Sequence, residues 1–157
     1  MRKTFRVLAG LIAVLVIVQA ALMVWSIAGF FSWIDSGATV DKSVIESWEE
    51  TPPDHAGAIG FPLHAFLIGP IVIPALGLLL LISSFFAKVP RGVVLSVAIV
   101  VSIAVQYLAG ILAEPDYPWL GLVHGINAFI LFGLAVSAAM RVRVPKATDQ
   151  GVPVTVA

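Results

Sequence analysis

The chain contains no cysteine, which excludes disulfides, thiolate metal sites, iron–sulfur clusters and thiol nucleophiles together. Charge is scarce too: 11% of the 157 residues are Asp, Glu, Lys or Arg, against about 25% in an ordinary soluble domain. Nine bases cancel nine acids, so no global basic field points to a nucleic-acid partner. What fills the chain instead is apolar, 60% of it. That is too much for a soluble core of this size and implies an integral membrane protein, with the lipid bilayer as its surroundings.

A hydrocarbon core of about 30 Å needs about 20 apolar residues of helix. Four uncharged stretches satisfy this, with spans expected at about 7–34, 61–87, 92–113 and 118–140. Long continuous apolar runs bounded by charge predict helices rather than barrel strands. The expectation is an all-α membrane protein: a four-helix transmembrane domain over residues 1–143 in an up-down bundle, an outer loop over 35–60, and a disordered tail over 144–157. Arg2, Lys3 and Arg6 resemble a signal-peptide start, and Val18-Gln19-Ala20 a cleavage site. The apolar run continues well past that point, which favours an uncleaved anchor.

Orientation follows from the basic residues near the helix ends. Arg2, Lys3, Arg6, Lys88, Arg91, Arg141, Arg143 and Lys146 fall on one side of a four-pass chain, and Lys42 on the other. Asp35, Asp41, Glu46, Glu49, Glu50, Asp54, Glu114 and Asp116 show the reverse pattern. Both termini are therefore expected to be cytoplasmic in a multi-pass protein of the cell membrane. Trp33, Tyr117 and Trp119 fall where aromatic anchors would mark the outer interface. The turns at 88–91 and 114–118 are short enough to make successive helices antiparallel neighbours. In the 35–60 loop, Asp41 is suited to cap a short helix whose Val44, Ile45 and Trp48 share a face.

No Asp, Glu, Lys or Arg lies within a span. That argues against proton pumps, voltage sensors and most ion-coupled transporters. The polar groups inside are Gln19, His64, Gln106, His124, Asn127 and several serines. Serines commonly bond back to their own helix, but an unpaired amide or imidazole in hydrocarbon costs several kcal/mol. His64 and His124 sit at similar distances from the outer ends of the second and fourth helices, with Gln106 close to that level and Gln19 nearer the midplane. A faint repeat connects them: Ile17-Val18-Gln19 and Ala104-Val105-Gln106 each precede a helix opening with an apolar-His pair, Leu63-His64 and Val123-His124.

In a sequential bundle the second and fourth helices are diagonal, so the two imidazoles would face each other at matched depth. A b-type haem needs this arrangement, with a neutral ring nitrogen from each side completing the iron's coordination. His64 and His124 are the expected axial ligands, hence the metal ligands. Gln106, Asn127 and Gln19 would act behind them, and Gly125 with Gly121 and Gly133 would make room for the macrocycle. Pro70 and Pro74 would bend the second helix below His64. The competing expectation is a non-enzymatic structural or assembly subunit. There the histidines satisfy each other, Gln106, Asn127 or water, and the small residues and the Val44-Ile45-Trp48 face dock a membrane partner or a second copy. No acid, serine–base pair or phosphate-cradling loop argues for an enzyme. A zinc site from Asp54, His55 and His64 matches no strong spacing.

The basic start before a Gln-bearing first helix, the Leu63-His64 pair and the run His124-Gly125-Ile126-Asn127-Ala128-Phe129-Ile130-Leu131-Phe132-Gly133 resemble a bacterial family of small four-helix membrane proteins, a domain of unknown function. The likeness covers residues 3–141. The family usually has proline after the fourth-helix histidine, where this chain has Gly125, and its outer loop is shorter. The resemblance implies the four-helix fold and no established activity. A looser similarity, resting on His64 and His124 in alternate helices, is to haem-carrying four-helix membrane modules such as cytochrome b and haem A synthase.

Overall fold

The structure, a computed structural model, describes residues 1–48, 50–113 and 117–142. The expected tail at 144–157, the bases Arg143 and Lys146, the acids Glu49, Glu114 and Asp116, and the centre of the 114–118 turn lie outside the described residues. All regular structure among the described residues is helical: α1 (Arg2–Asp35), α2 (Lys42–Ser47), α3 (Gly60–Ala87), α4 (Gly92–Leu112) and α5 (Leu120–Met140). Four of these, all but α2, are long and apolar enough to cross a membrane.

The four long helices pack in a closed ring. α1 and α4 each contact both α3 and α5, which leaves α3 and α5 on a diagonal. The start of α1, the 88–91 turn and the end of α5 meet at one end of the bundle, where Arg2 donates from Nε to the Ala87 carbonyl (3.3 Å) and from Nη2 to the Lys88 carbonyl (3.4 Å). We term this the basic end and the opposite one the loop end. The apolar core lies toward the basic end, where Phe5, Ile12, Leu80, Ile99 and Leu131 are fully buried. Three buried serines bond back along their own helices: Ser83 to Leu80, Ser84 to Leu81 and Ser96 to Gly92.

Two features differ from expectation. At 34 residues, α1 is roughly 50 Å long, more than a hydrocarbon core requires. Gly60, at the start of α3, lies against Leu22 and Ser26 of α1, so α1 runs on by roughly three turns beyond its partner. Residues 55–60 return along that extension. The Ala56 carbonyl lies where a side chain at Gly29 would go, and Gly57, at φ +81°, sits against the Trp25 carbonyl. Trp33 packs within this extension, its ring 6.0 Å from His55 and 6.3 Å from Phe30; Phe30 also meets His55 and Trp48 at 6.1 Å each. The apolar run at 7–34 is thus part span and part support for the loop.

The second difference concerns Pro70 and Pro74. Rather than a simple kink, α3 contains a π-helical stretch, Leu63–Val72, between the short α-turn Gly60–Pro62 and the α-helix Ile73–Ala87. A proline cannot donate to the carbonyl four residues back, and its ring crowds that carbonyl. Wider i→i+5 turns absorb both defects, and such turns recur at functional sites. The loop helix α2 forms as expected: Asp41 Oδ1 accepts from the Val44 N–H (3.0 Å) and the Ser43 hydroxyl (2.6 Å).

Candidate functional site: facing imidazoles in a loop-end cavity

The loop-end half of the bundle does not close. It holds a cavity of about 990 Å³ bordered by all four long helices. Polar groups on its wall are few, Gln19, His64, Gln106, Tyr107 and His124, among apolar side chains such as Phe61, Phe66, Phe129 and Phe132. His64 and His124 lie four residues into α3 and α5 respectively, and the diagonal brings their rings to 6.0 Å between centres with 54° between planes.

Each imidazole is anchored through Nδ1. His124 Nδ1 is 2.9 Å from the Gln106 carbonyl, and His64 Nδ1 is 3.3 Å from the Gln19 carbonyl. A carbonyl oxygen can only accept, so both Nδ1 atoms carry the proton, and in the neutral ring Nε2 keeps its lone pair. Among the described residues neither Nε2 has a hydrogen-bond partner, and both rings border the cavity. The 6.0 Å between ring centres matches a metal held on opposite sides by two imidazole nitrogens at about 2.0 Å each, and it equally matches ordinary contact between two rings.

The glutamines therefore do orient the histidines, but through backbone carbonyls rather than side-chain amides. Their side chains have other work. Gln19 Nε2 donates to the His64 carbonyl (3.2 Å), making the α1–α3 contact reciprocal. Gln106 Oε1 accepts from Asn127 Nδ2 (2.7 Å). Asn127 Nδ2 also donates to the Ser102 carbonyl (2.8 Å), and the Ser102 hydroxyl donates to Asn127 Oδ1 (3.0 Å). Asn127 thus clamps α5 to α4 below His124 and does not reach the rings by a hydrogen bond. Gln19 lies level with His64, not deeper, because α1 overshoots the start of α3. Its Oε1 is buried and has no partner among the described residues.

Two sets of glycines act differently around the cavity. A Cβ at Gly121, Gly125 or Gly133 would meet nothing within 4 Å, so this stripe does not seat a neighbouring helix. Gly121 and Gly125 border the cavity, and Gly133 does not. The glycines that shape the site are Gly69 and Gly110. A Cβ at Gly69 would stand 2.6 Å from the His64 carbonyl oxygen and 2.9 Å from Gln19 Nε2; one at Gly110 would stand 3.1 Å from His124 Nδ1. The available signals were the Gly69-Pro70 pair five residues after His64 and a glycine one turn after Gln106.

Among the described residues no group of three His, Asp or Glu could hold a metal ion. His55 does not join Asp54 and His64 in a zinc site: its Nδ1 is 3.0 Å from the Ala56 carbonyl and its ring packs with Phe30 and Trp33. Comparison with protein-family models, with curated proteins and with solved structures finds no match for the chain.

Proposed function

We propose that the protein is a b-type haem-binding electron-transfer module of a membrane, with His64 and His124 as the axial ligands. One observation carries the reading: two imidazoles from diagonal helices face each other at 6.0 Å, both fixed at Nδ1 by carbonyls. Two nitrogens are too few to hold a bare metal ion firmly, since sites built from protein alone use three or more ligands. An iron that brings four equatorial nitrogens of its own needs only these two. The residues fit such a group in other respects as well. The apolar wall of the 990 Å³ cavity suits a macrocycle, and open space at Gly121 and Gly125 leaves room for its edge. The bound haem would supply one-electron transfer, and the carbonyl-anchored histidines would fix ring orientation and donor strength.

The gathering of bases at one end favours cytoplasmic termini in a multi-pass protein of the cell membrane. The site would then lie near the outer face, and an extracytoplasmic or membrane-embedded redox partner would exchange electrons with it. The assembly-subunit alternative draws on the same bonds, His124 to the Gln106 carbonyl and His64 to the Gln19 carbonyl, and differs in giving the two Nε2 atoms and the cavity no cofactor to hold.

The test is an absorption spectrum of protein purified in detergent from cells supplied with haem precursor. The expected result is a Soret band that His64→Ala and His124→Ala each abolish while the variants stay folded. A folded, colourless wild-type protein that takes up no added haem would falsify the reading.

A further inference from the structure

A second concavity lies at the basic end, outside the haem reading and independent of it. Its volume is about 510 Å³, and its lining comes from three separated parts of the chain: Arg2, the turn residues Lys88, Val89 and Pro90, and the α5 end at Met140, Arg141 and Val142. Three cations thus border one cleft, and none of the described residues lining it is acidic. Loop statistics account for the side of the bilayer on which bases collect. They do not account for three bases from three segments meeting around one hollow. Arg2 is held in position by its bonds to the Ala87 and Lys88 carbonyls, and a guanidinium has N–H groups to spare after two such bonds. Val89 and Val142 are buried beneath, while Met140 is three-quarters exposed at the rim.

We propose that this cleft binds the phosphate of an anionic phospholipid, with Arg2, Lys88 and Arg141 around the headgroup and Met140 beside the first acyl carbons. The chemistry required is a phosphate at the level where helix ends meet the headgroup layer. A bilayer lipid supplies this at high local concentration, together with an apolar body for the rim. Basic pockets between helix ends bind such headgroups in this way.

The experiment uses the full chain in nanodiscs and in detergent, with lipid retention read by native mass spectrometry and melting by thermal scan. The probes are phosphatidylglycerol, phosphatidylcholine and inorganic phosphate. We expect phosphatidylglycerol to be retained in preference to phosphatidylcholine and to raise the melting temperature. Lys88→Gln with Arg141→Gln, which spares the Arg2 bonds, should cut that preference about 25-fold, each base near the surface contributing about a factor of five. Lys3→Gln with Arg6→Gln, outside the cleft lining, should cost clearly less than the cleft pair, because only the cleft bases surround the bound headgroup. Should the double variant fail to fold, Arg141→Gln alone should lose about five-fold. Equal losses from the two pairs would mean a diffuse surface field and overturn the site. So would wild-type protein without lipid preference, or inorganic phosphate reproducing the whole effect of the lipid.

Discussion

Gly69→Ala offers a sharp measure of whether the α1–α3 contact is built as described. The added methyl would stand 2.6 Å from the His64 carbonyl oxygen and 2.9 Å from Gln19 Nε2. The carbonyl belongs to the helix backbone and cannot retreat, so the amide tip must leave and its 3.2 Å bond to that carbonyl is lost. Gln19 Oε1 already lacks a partner, and the whole side chain is then stranded. A lost bond that leaves a buried polar group unpaired costs about 1–3 kcal/mol, while alanine in place of glycine returns up to about 1 kcal/mol in a helix. The difference is about 0–3 kcal/mol, and the 2.6 Å approach to the carbonyl adds to it, so the net expectation is a loss. Gly125→Ala is the matched control, since its Cβ meets nothing, and it should be neutral or slightly stabilising. Reversible unfolding in detergent, by denaturant titration, measures both. Alanine at 69 also precedes Pro70, a steric penalty of its own, so Gln19→Leu is measured alone and combined with Gly69→Ala. If the amide carries the effect, the two substitutions will be non-additive by about 1 kcal/mol. A Gly69→Ala protein as stable as Gly125→Ala, or strict additivity with Gln19→Leu, refutes the reciprocal contact.

Two further outcomes are expected. Gly110→Ala puts a methyl 3.1 Å from His124 Nδ1, so the ring must shift against its bond to the Gln106 carbonyl; titration with haem should give weaker binding, up to the roughly 10- to 100-fold that losing a ligand's supporting bond costs, with Gly133→Ala, whose Cβ meets nothing and which does not border the cavity, near wild type. At the loop, the Ser43 hydroxyl and then the Val44 N–H hold the Asp41 carboxyl below its ordinary value of 3.8. The ionised form is favoured in the capped helix, so the cap is complete above 3.8 and is lost as pH falls through the depressed value. The Val44 amide resonance, followed by NMR against pH, should titrate below 3.8 in wild type and show no such step in Asp41→Asn.

The spans were readable because a bilayer demands long uncharged runs and little else in this chain has them. Asp41 was readable as a cap because its bonds are local. The meeting of His64 with His124 was readable from equal distances to helix ends and from a diagonal forced by short turns. The partners of the rings were not readable, for a physical reason: every residue has a carbonyl, so sequence cannot mark which carbonyl will accept. The glycine stripe in α5 marked open space at Gly121 and Gly125 on the cavity wall, but spacing alone did not show that Gly133 lies off that wall. The unbroken apolar run from 7 to 34 likewise hid the point where α1 stops being a span and begins to carry the loop.

The commitment of both Nδ1 protons has a consequence for what lies between the rings. Two neutral imidazoles so anchored present two acceptors to one another and cannot share a hydrogen bond. A direct bond would need an added proton, hence a cationic pair, and among the described residues no carboxylate lines the cavity to balance it. What the pair can take up is a donor or a metal between or beside the rings, and neither Nε2 is a buried unpaired atom that would demand one. A water molecule, occupying about 30 Å³, could bridge two acceptors, and because exposed rings such as Phe66 and Phe129 line the 990 Å³ cavity, lipid tails can reach the rest of it. The proposed haem differs from these occupants in meeting the electron pairs and the volume with one group. The same argument explains why the clamp of Asn127, Ser102 and Gln106 is complete in itself: it holds α4 to α5 without drawing on either ring, so both histidines remain available.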